Sequence, residues 1–317
     1  MSPRLFVKLL LLPVCLIALP VWGDGHSPAF SFSTSTLGKG DASVETSLMW
    51  RSGTYMIGPR VGYGITPNFQ ISFSSPFHVN HGDHPTGRFM AMMPGNPEIE
   101  VLAGWRFFHA STGISTRNEA TIYAGGSALT QHVPRTDGPP LRRQPGMYVA
   151  LAAGRVARSY DIWAGVGYQR YGHWNSANDD HQSNTLLASL AIGWRPGFLN
   201  KDYPKPDVRF FWETTGQEVG LAWRAPVPPS FEGTGGGHNH AQQPIFYPPK
   251  RTSNIVYLRN SGGTGIFSGP SLLCTFRSMA FQGGILFPLM QEPNGNQPQE
   301  HFRAVVGVSY YFLGRRK

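Results

Sequence analysis

The stretch His301–Phe312, HFRAVVGVSYYF, alternates without a break. Phe302, Ala304, Val306, Val308, Tyr310 and Phe312 share one face of an extended strand, and Arg303, Val305, Gly307, Ser309 and Tyr311 share the other. The first face is wholly apolar and ends in aromatics. The second is small or polar, with one arginine. About ten residues that are greasy outside and polar inside make the unit of an outer-membrane β-barrel, although a strand of a soluble sandwich also alternates. The remaining sequence has to choose between them.

The same period recurs along the chain. Val44, Thr46, Leu48 and Trp50 oppose Glu45, Ser47, Met49 and Arg51, and further alternating segments follow at 55–65, 69–77, 99–107, 121–129, 147–156, 161–171, 186–194, 208–213, 266–276 and 279–289. The expected fold is all-β: a single antiparallel transmembrane β-barrel of about twelve strands with long outer loops. The connections carry separate information. Long irregular stretches follow the third, fifth, seventh, ninth and eleventh strands, whereas the turns after the second, sixth and tenth are short. That asymmetry belongs to barrels with long outer loops and short periplasmic turns. In the largest irregular stretch, 215–265, Val219–Trp223 and Ile255–Leu258 are expected to pair as a hairpin standing off the main sheet.

The 317 residues are 14% charged and 13% aromatic, with 38 glycines, a composition that favours strands and close backbone approach. The N-terminus has the form of a secretory signal: a short positive start, an apolar run from Leu9 to Pro20, and Val21-Trp22-Gly23 before an expected cut after Gly23. Losing Arg4 and Lys8 with it leaves about +7 of the formal +9. The arginines are scattered singly, which argues against nucleic acid. Cys274 would then be the single cysteine, with no disulfide to make. No later run reaches about 18 apolar residues, so any membrane span must use strands. The expected organisation is a signal peptide (1–23), a flexible lead-in or lumen-filling segment (24–40), a barrel (41–312) and a basic tail (313–317).

Near the C-terminus the residues resemble a known family. Phe267-Ser268-Gly269-Pro270, Phe287-Pro288-Leu289 with Gln291, Asn294-Gly295 and Gln297-Pro298, and the closing Phe302–Phe312 strand are similar to the transporter-like outer-membrane barrels of the meta-pathway-of-phenol-degradation family. The resemblance covers roughly the last fifty residues, with a weaker echo at Pro206–Phe210. It implies an outer-membrane barrel that moves small solutes, in relatives associated with hydrophobic compounds or metal handling. It brings no catalytic residue. Leu313–Lys317 depart from the pattern, because such barrels usually end on the terminal aromatic.

On the inner register fall Glu45, Arg51, Arg60, Glu98, Glu100, Arg106, Arg195, Arg209, Glu213 and Arg303. Charges of both signs can line a selective constriction or close the barrel as a structural network. Arg60, Glu98 and Arg106 are expected near one another. The loop histidines His78, His81 and His84 around Asp83, and His238 and His240 in GHNH, have spacings compatible with metal capture, but thiolates are missing. His173, Ser176 and Asp179 are the nearest approach to a catalytic set, and a flexible loop fixes no geometry for it, so no enzyme and no cofactor are expected. The expected partners are outer-membrane lipid, the barrel-insertion machinery and a small solute. A loop-mediated, metal-sequestering barrel with a plugged lumen is the rival reading.

Overall fold

A computed structural model describes residues 27–51, 54–78, 98–113, 115–129, 145–171, 180–181, 184–199, 205–220, 223–224, 256–257, 262–295 and 299–313. They form β1 (Ala42–Arg51), β2 (Thr54–Thr66), β3 (Phe69–Ser74), β4 (Phe77–His78), β5 (Glu98–Gly113), β6 (Thr116–Leu129), β7 (Pro145–Val156), β8 (Tyr160–Tyr171), β9 (Asp180–His181), β10 (Thr185–Trp194), β11 (Asp207–Val219), β12 (Trp223–Arg224), β13 (Val256–Tyr257), β14 (Gly263–Phe276), β15 (Met279–Pro293) and β16 (Arg303–Phe312). Each long strand pairs antiparallel with its neighbours, and β1 pairs with both β2 and β16, so the sheet closes on itself. The result is a twelve-stranded barrel. β3 and β4 are two halves of one stave that both pair with β2 and are split at Ser75-Pro76. A proline has no N–H for the ladder, and the stave breaks there.

Closure rests on the C-terminal stretch. Ala42 faces Phe312, Glu45 faces Ser309, and Arg51 faces Arg303, with unbroken register between them. Burial alternates with the pleat: in β10 Thr185, Leu187, Ser189, Ala191 and Gly193 are buried while Leu186, Leu190, Ile192 and Trp194 face outward. Trp194 is 58% exposed and Ala191 0%. The closed sheet has no edge strand, and its outward wall of Leu, Ile, Val, Trp and Phe suits hydrocarbon.

The connections at 66–69, 113–116, 156–160 and 276–279 are short and lie at one end, together with the start of β1 and the end of β16. The long ones, 78–98, 129–145, 171–185 and 219–263, lie at the other. Beyond that long-loop end, Trp223–Arg224 pairs with Val256–Tyr257 and with Asp180–His181, forming a small separate sheet. This sheet departs from the expected hairpin in two respects: Val219 belongs to β11, and a second loop supplies the third strand.

Several strands are longer than their alternation shows. β5 continues to Gly113 and β6 begins at Thr116, past register shifts between Arg106 and Phe108 and between Ser111 and Gly113. Each bulge breaks the period of two, so both Phe107 and Phe108 are exposed. β11 runs on through Thr214-Thr215-Gly216-Gln217, where both faces are polar or small and no apolar face marks the strand.

Candidate functional site in the barrel lumen

The lumen is occupied by the chain's own N-terminal segment. Ala29, Phe30, Ser31, Phe32, Ser33 and Thr34 are buried, although none of them belongs to a strand. The segment rises from Gly40, whose amide donates to the Gly64 carbonyl at the short-turn end. Thr36 Oγ1 donates to the Pro67 carbonyl and the Leu37 amide to Gln70 Oε1. Further in, Thr121 Oγ1 donates to the Thr34 carbonyl and Tyr123 Oη to the Ser33 carbonyl at 2.6 Å. The Phe32 amide donates to Ser189 Oγ. At mid-barrel the amides of Ala29 and Phe30 each donate to one oxygen of Glu213 at 2.9 Å, and Ser271 Oγ donates to the same carboxylate. A carboxylate that receives two successive amides makes charge-assisted bonds, the stronger kind. Above Gly38 each of these contacts involves a side chain, of the wall or of the segment itself, with no ladder to the barrel.

Apolar contacts complete the fit. Phe30 packs with Met49, Met56, Phe267, Leu286 and Val305, and Phe32 with Leu102, Tyr123, Tyr148, Ala150 and Leu187. Gly165 is the socket for Phe32: a Cβ there would stand 2.7 Å from Phe32 Cβ and 2.6 Å from its ring. Trp163 and Phe211 lie tilted against each other, 5.5 Å apart, within a third apolar cluster. Each buried Phe contributes about 1.5–3 kcal/mol of transfer free energy to holding the segment in place.

Ion pairs surround this plug. Glu45 accepts from Gln282 Nε2, and Arg60 donates to Ser72 Oγ. Glu100 is buried and accepts from Ser74 Oγ. Arg106 and Arg117 both pair with Glu119, at 3.1 and 3.0 Å, and Glu119 also accepts from Thr34 Oγ1. Arg209 pairs with Asp161 at 2.7 Å and with Asp207, which Arg195 meets at 2.6 Å. Arg303 pairs with Glu300 at 2.6 Å and lies over the Phe267 ring.

The side chains of Arg51 and Glu98 lie outside the described residues, and so therefore does the expected Arg60–Glu98–Arg106 grouping. The acids Glu119, Asp161, Asp207 and Glu300 are not among the inward charges expected from the sequence. Glu119, Asp207 and Glu300 fall just outside the stretches where alternation is legible, 121–129, 208–213 and 301–312, and Asp161 is the first residue of 161–171. His81, His84, His238 and His240, like His173, Ser176 and Asp179, also fall outside the described residues, and His78 is placed only as part of β4. Among the described residues no cluster of three metal-ligating side chains occurs.

No protein-family model matches the chain, and no curated protein sequence matches it. Solved structures do. An outer-membrane channel from Pseudomonas putida F1 superposes with a TM-score of 0.51 at 11% identity, covering 88% of this chain and 98% of that one. The NanC porin aligns with a TM-score of 0.43 at 12% identity, over 85% of this chain and 98% of its own. LpxR from Salmonella typhimurium gives 0.39 at 9% identity, over 85% of this chain and all of its own. At such identities the likeness is one of fold.

Proposed function

We propose that the protein is an outer-membrane channel for small solutes whose resting lumen is closed by residues 27–40. The observation that carries this reading is how the segment is held. Above Gly38 it is fixed by side-chain hydrogen bonds and packing and not by strand pairing, so it can leave without breaking the barrel's ladder. The apolar outer wall supports placement in a bilayer, with the short-turn end in the periplasm. The similar Pseudomonas putida barrel is named as an outer-membrane channel. With residues 1–23 removed as a signal, the mature chain begins just before the plug, which would then be a free end. The resemblance near the C-terminus points to hydrophobic or aromatic compounds, or a metal-related solute, as the cargo. Outer-membrane lipid and the insertion machinery are the partners of such a barrel, and it performs no chemistry on its solute.

The occupied lumen also favours a second reading, in which the barrel stays closed and the outer loops, with His238 and His240, bind ligands or metal at the surface. Solute flux separates the two. Reconstituted into liposomes, the channel reading expects low flux through the full chain and high flux once residues 24–37 are deleted. Two equally tight barrels would transfer the case to surface binding.

A further inference from the structure

Charge is sorted by side at the short-turn end of the barrel. The acids described there, Asp41, Glu119, Asp161 and Asp207, are all buried. The exposed charged side chains described there, Lys39, Arg155, Arg158, Lys205 and Arg277, are all basic. Exposed acids among the described residues, Glu218 and Glu292, lie at the opposite end.

Arg155 occupies an unusual place. It follows Leu151 and Ala153 on the outward face of β7, the face that meets hydrocarbon higher up, and it pairs across the ladder with Ile162. Its guanidinium carbon lies 6.0 Å from the centroid of the Tyr160 ring. Tyr160 in turn pairs with Trp194, whose ring is 6.1 Å from that of Phe210, so an aromatic belt runs along this level. Arg158, exposed in the β7–β8 turn, projects from the same corner. Arg277 repeats the arrangement at the β14–β15 turn, 5.2 Å from the Phe276 ring.

Arg155 lies two residues to the hydrocarbon side of Tyr160, so its side chain runs along the Tyr160 ring toward the interface, where lipid phosphates lie, and its planar fork matches a phosphodiester. We propose that Arg155 and Arg158 form a binding site for an anionic phospholipid of the adjoining leaflet. The phosphate is held by the two guanidinium groups, and the acyl chains lie along Ile162, Leu151 and Ile192. Among the described residues the rim has no exposed acid to repel that headgroup, and this charge complementarity singles out an anionic lipid over a zwitterionic one. The proposal rests on the membrane placement given above.

Native mass spectrometry of the detergent-folded full chain tests it, with phosphatidylglycerol and phosphatidylcholine of matched acyl chains as probes. The expected result is preferential retention of phosphatidylglycerol, reduced about fivefold for each arginine removed in Arg155→Gln and Arg155→Gln/Arg158→Gln. Arg170→Gln, an outward arginine near the opposite end, is expected to leave retention unchanged. Should the double variant fail to fold, the unaltered chain in about 1 M salt, where screening is nearly complete, is expected to lose its preference. Equal retention of the two lipids would overturn the proposal, as would an equal loss in Arg170→Gln, a preference that survives high salt, or displacement of the lipid by inorganic phosphate alone. A barrel that enters bilayers but ignores lipid charge would sink this site only. One that enters no bilayer would sink the membrane reading beneath it.

Discussion

Glu213 is the residue on which the plug's position turns. Its two oxygens take the amides of Ala29 and Phe30, and Ser271 adds a third donor. Glu213→Leu leaves both amides without an acceptor inside the lumen. Hydrogen bonds to a charged group contribute about 1.5–3 kcal/mol, so the closed-to-open ratio should fall on the order of 10- to 100-fold. Planar-bilayer recordings would register this as a rise in open time, and unchanged gating would remove Glu213 from the latch. The ion pair of Arg209 with Asp161 calls for the opposite outcome. Both side chains are almost fully buried, and the pair ties β8 to β11 across β10. Asp161→Asn should cost stability, less than the about 3–5 kcal/mol of a fully orphaned buried charge, because Arg209 keeps its pairing with Asp207. Urea unfolding of the refolded barrel checks this, with conductance expected to change little while the barrel is folded.

At the scale of elements, what alternation can reveal depends on what lies on each side of a strand. β10 and β16 are apolar outward and small or polar inward, and their ladder positions are visible in the bare sequence. The ends of β5, β6 and β11 are not, because bulges or two-sided polarity erase the period. For the plug the sequence leaves two expectations, a flexible lead-in or a lumen-filling segment, and does not choose between them. Ser31, Ser33, Thr34 and Thr36 read as solvated residues, and their burial depends on lumen donors and acceptors contributed from positions far along the chain. Register alone points to Glu100, Arg209, Glu213 and Arg303, which are buried, whereas their neighbours Asp207 and Glu300 lie just beyond the alternating stretches. The long β5 carries its own prediction. β3 reaches only to Trp105 on one side of β5, and the Arg106 amide donates to the Asn68 carbonyl. From Phe107 to Gly113 the strand therefore pairs with β6 alone. Hydrogen exchange should be faster over 107–113 than over 99–105, and equal protection would mean that something else covers that edge.

For the whole molecule, the claim is a closed barrel that carries its gate as an N-terminal segment. Closure is provided by β1 against β16, the inner surface by charges and hydroxyls, and the gate by Phe30 and Phe32 seated among lumen side chains. The close approach of Phe32 to Gly165 allows the segment to be fastened or freed at will. Phe32→Cys with Gly165→Cys removes the ring and leaves two Cβ positions about 1 Å inside ordinary disulfide separation, which slight backbone adjustment accommodates. In a Cys274→Ser background, the conductance of this one barrel, recorded oxidised and then reduced, is the most direct test. The account predicts a barrel held shut when oxidised that opens when the bond is reduced. A conductance that is the same in both states, with the disulfide shown to be formed, would contradict it.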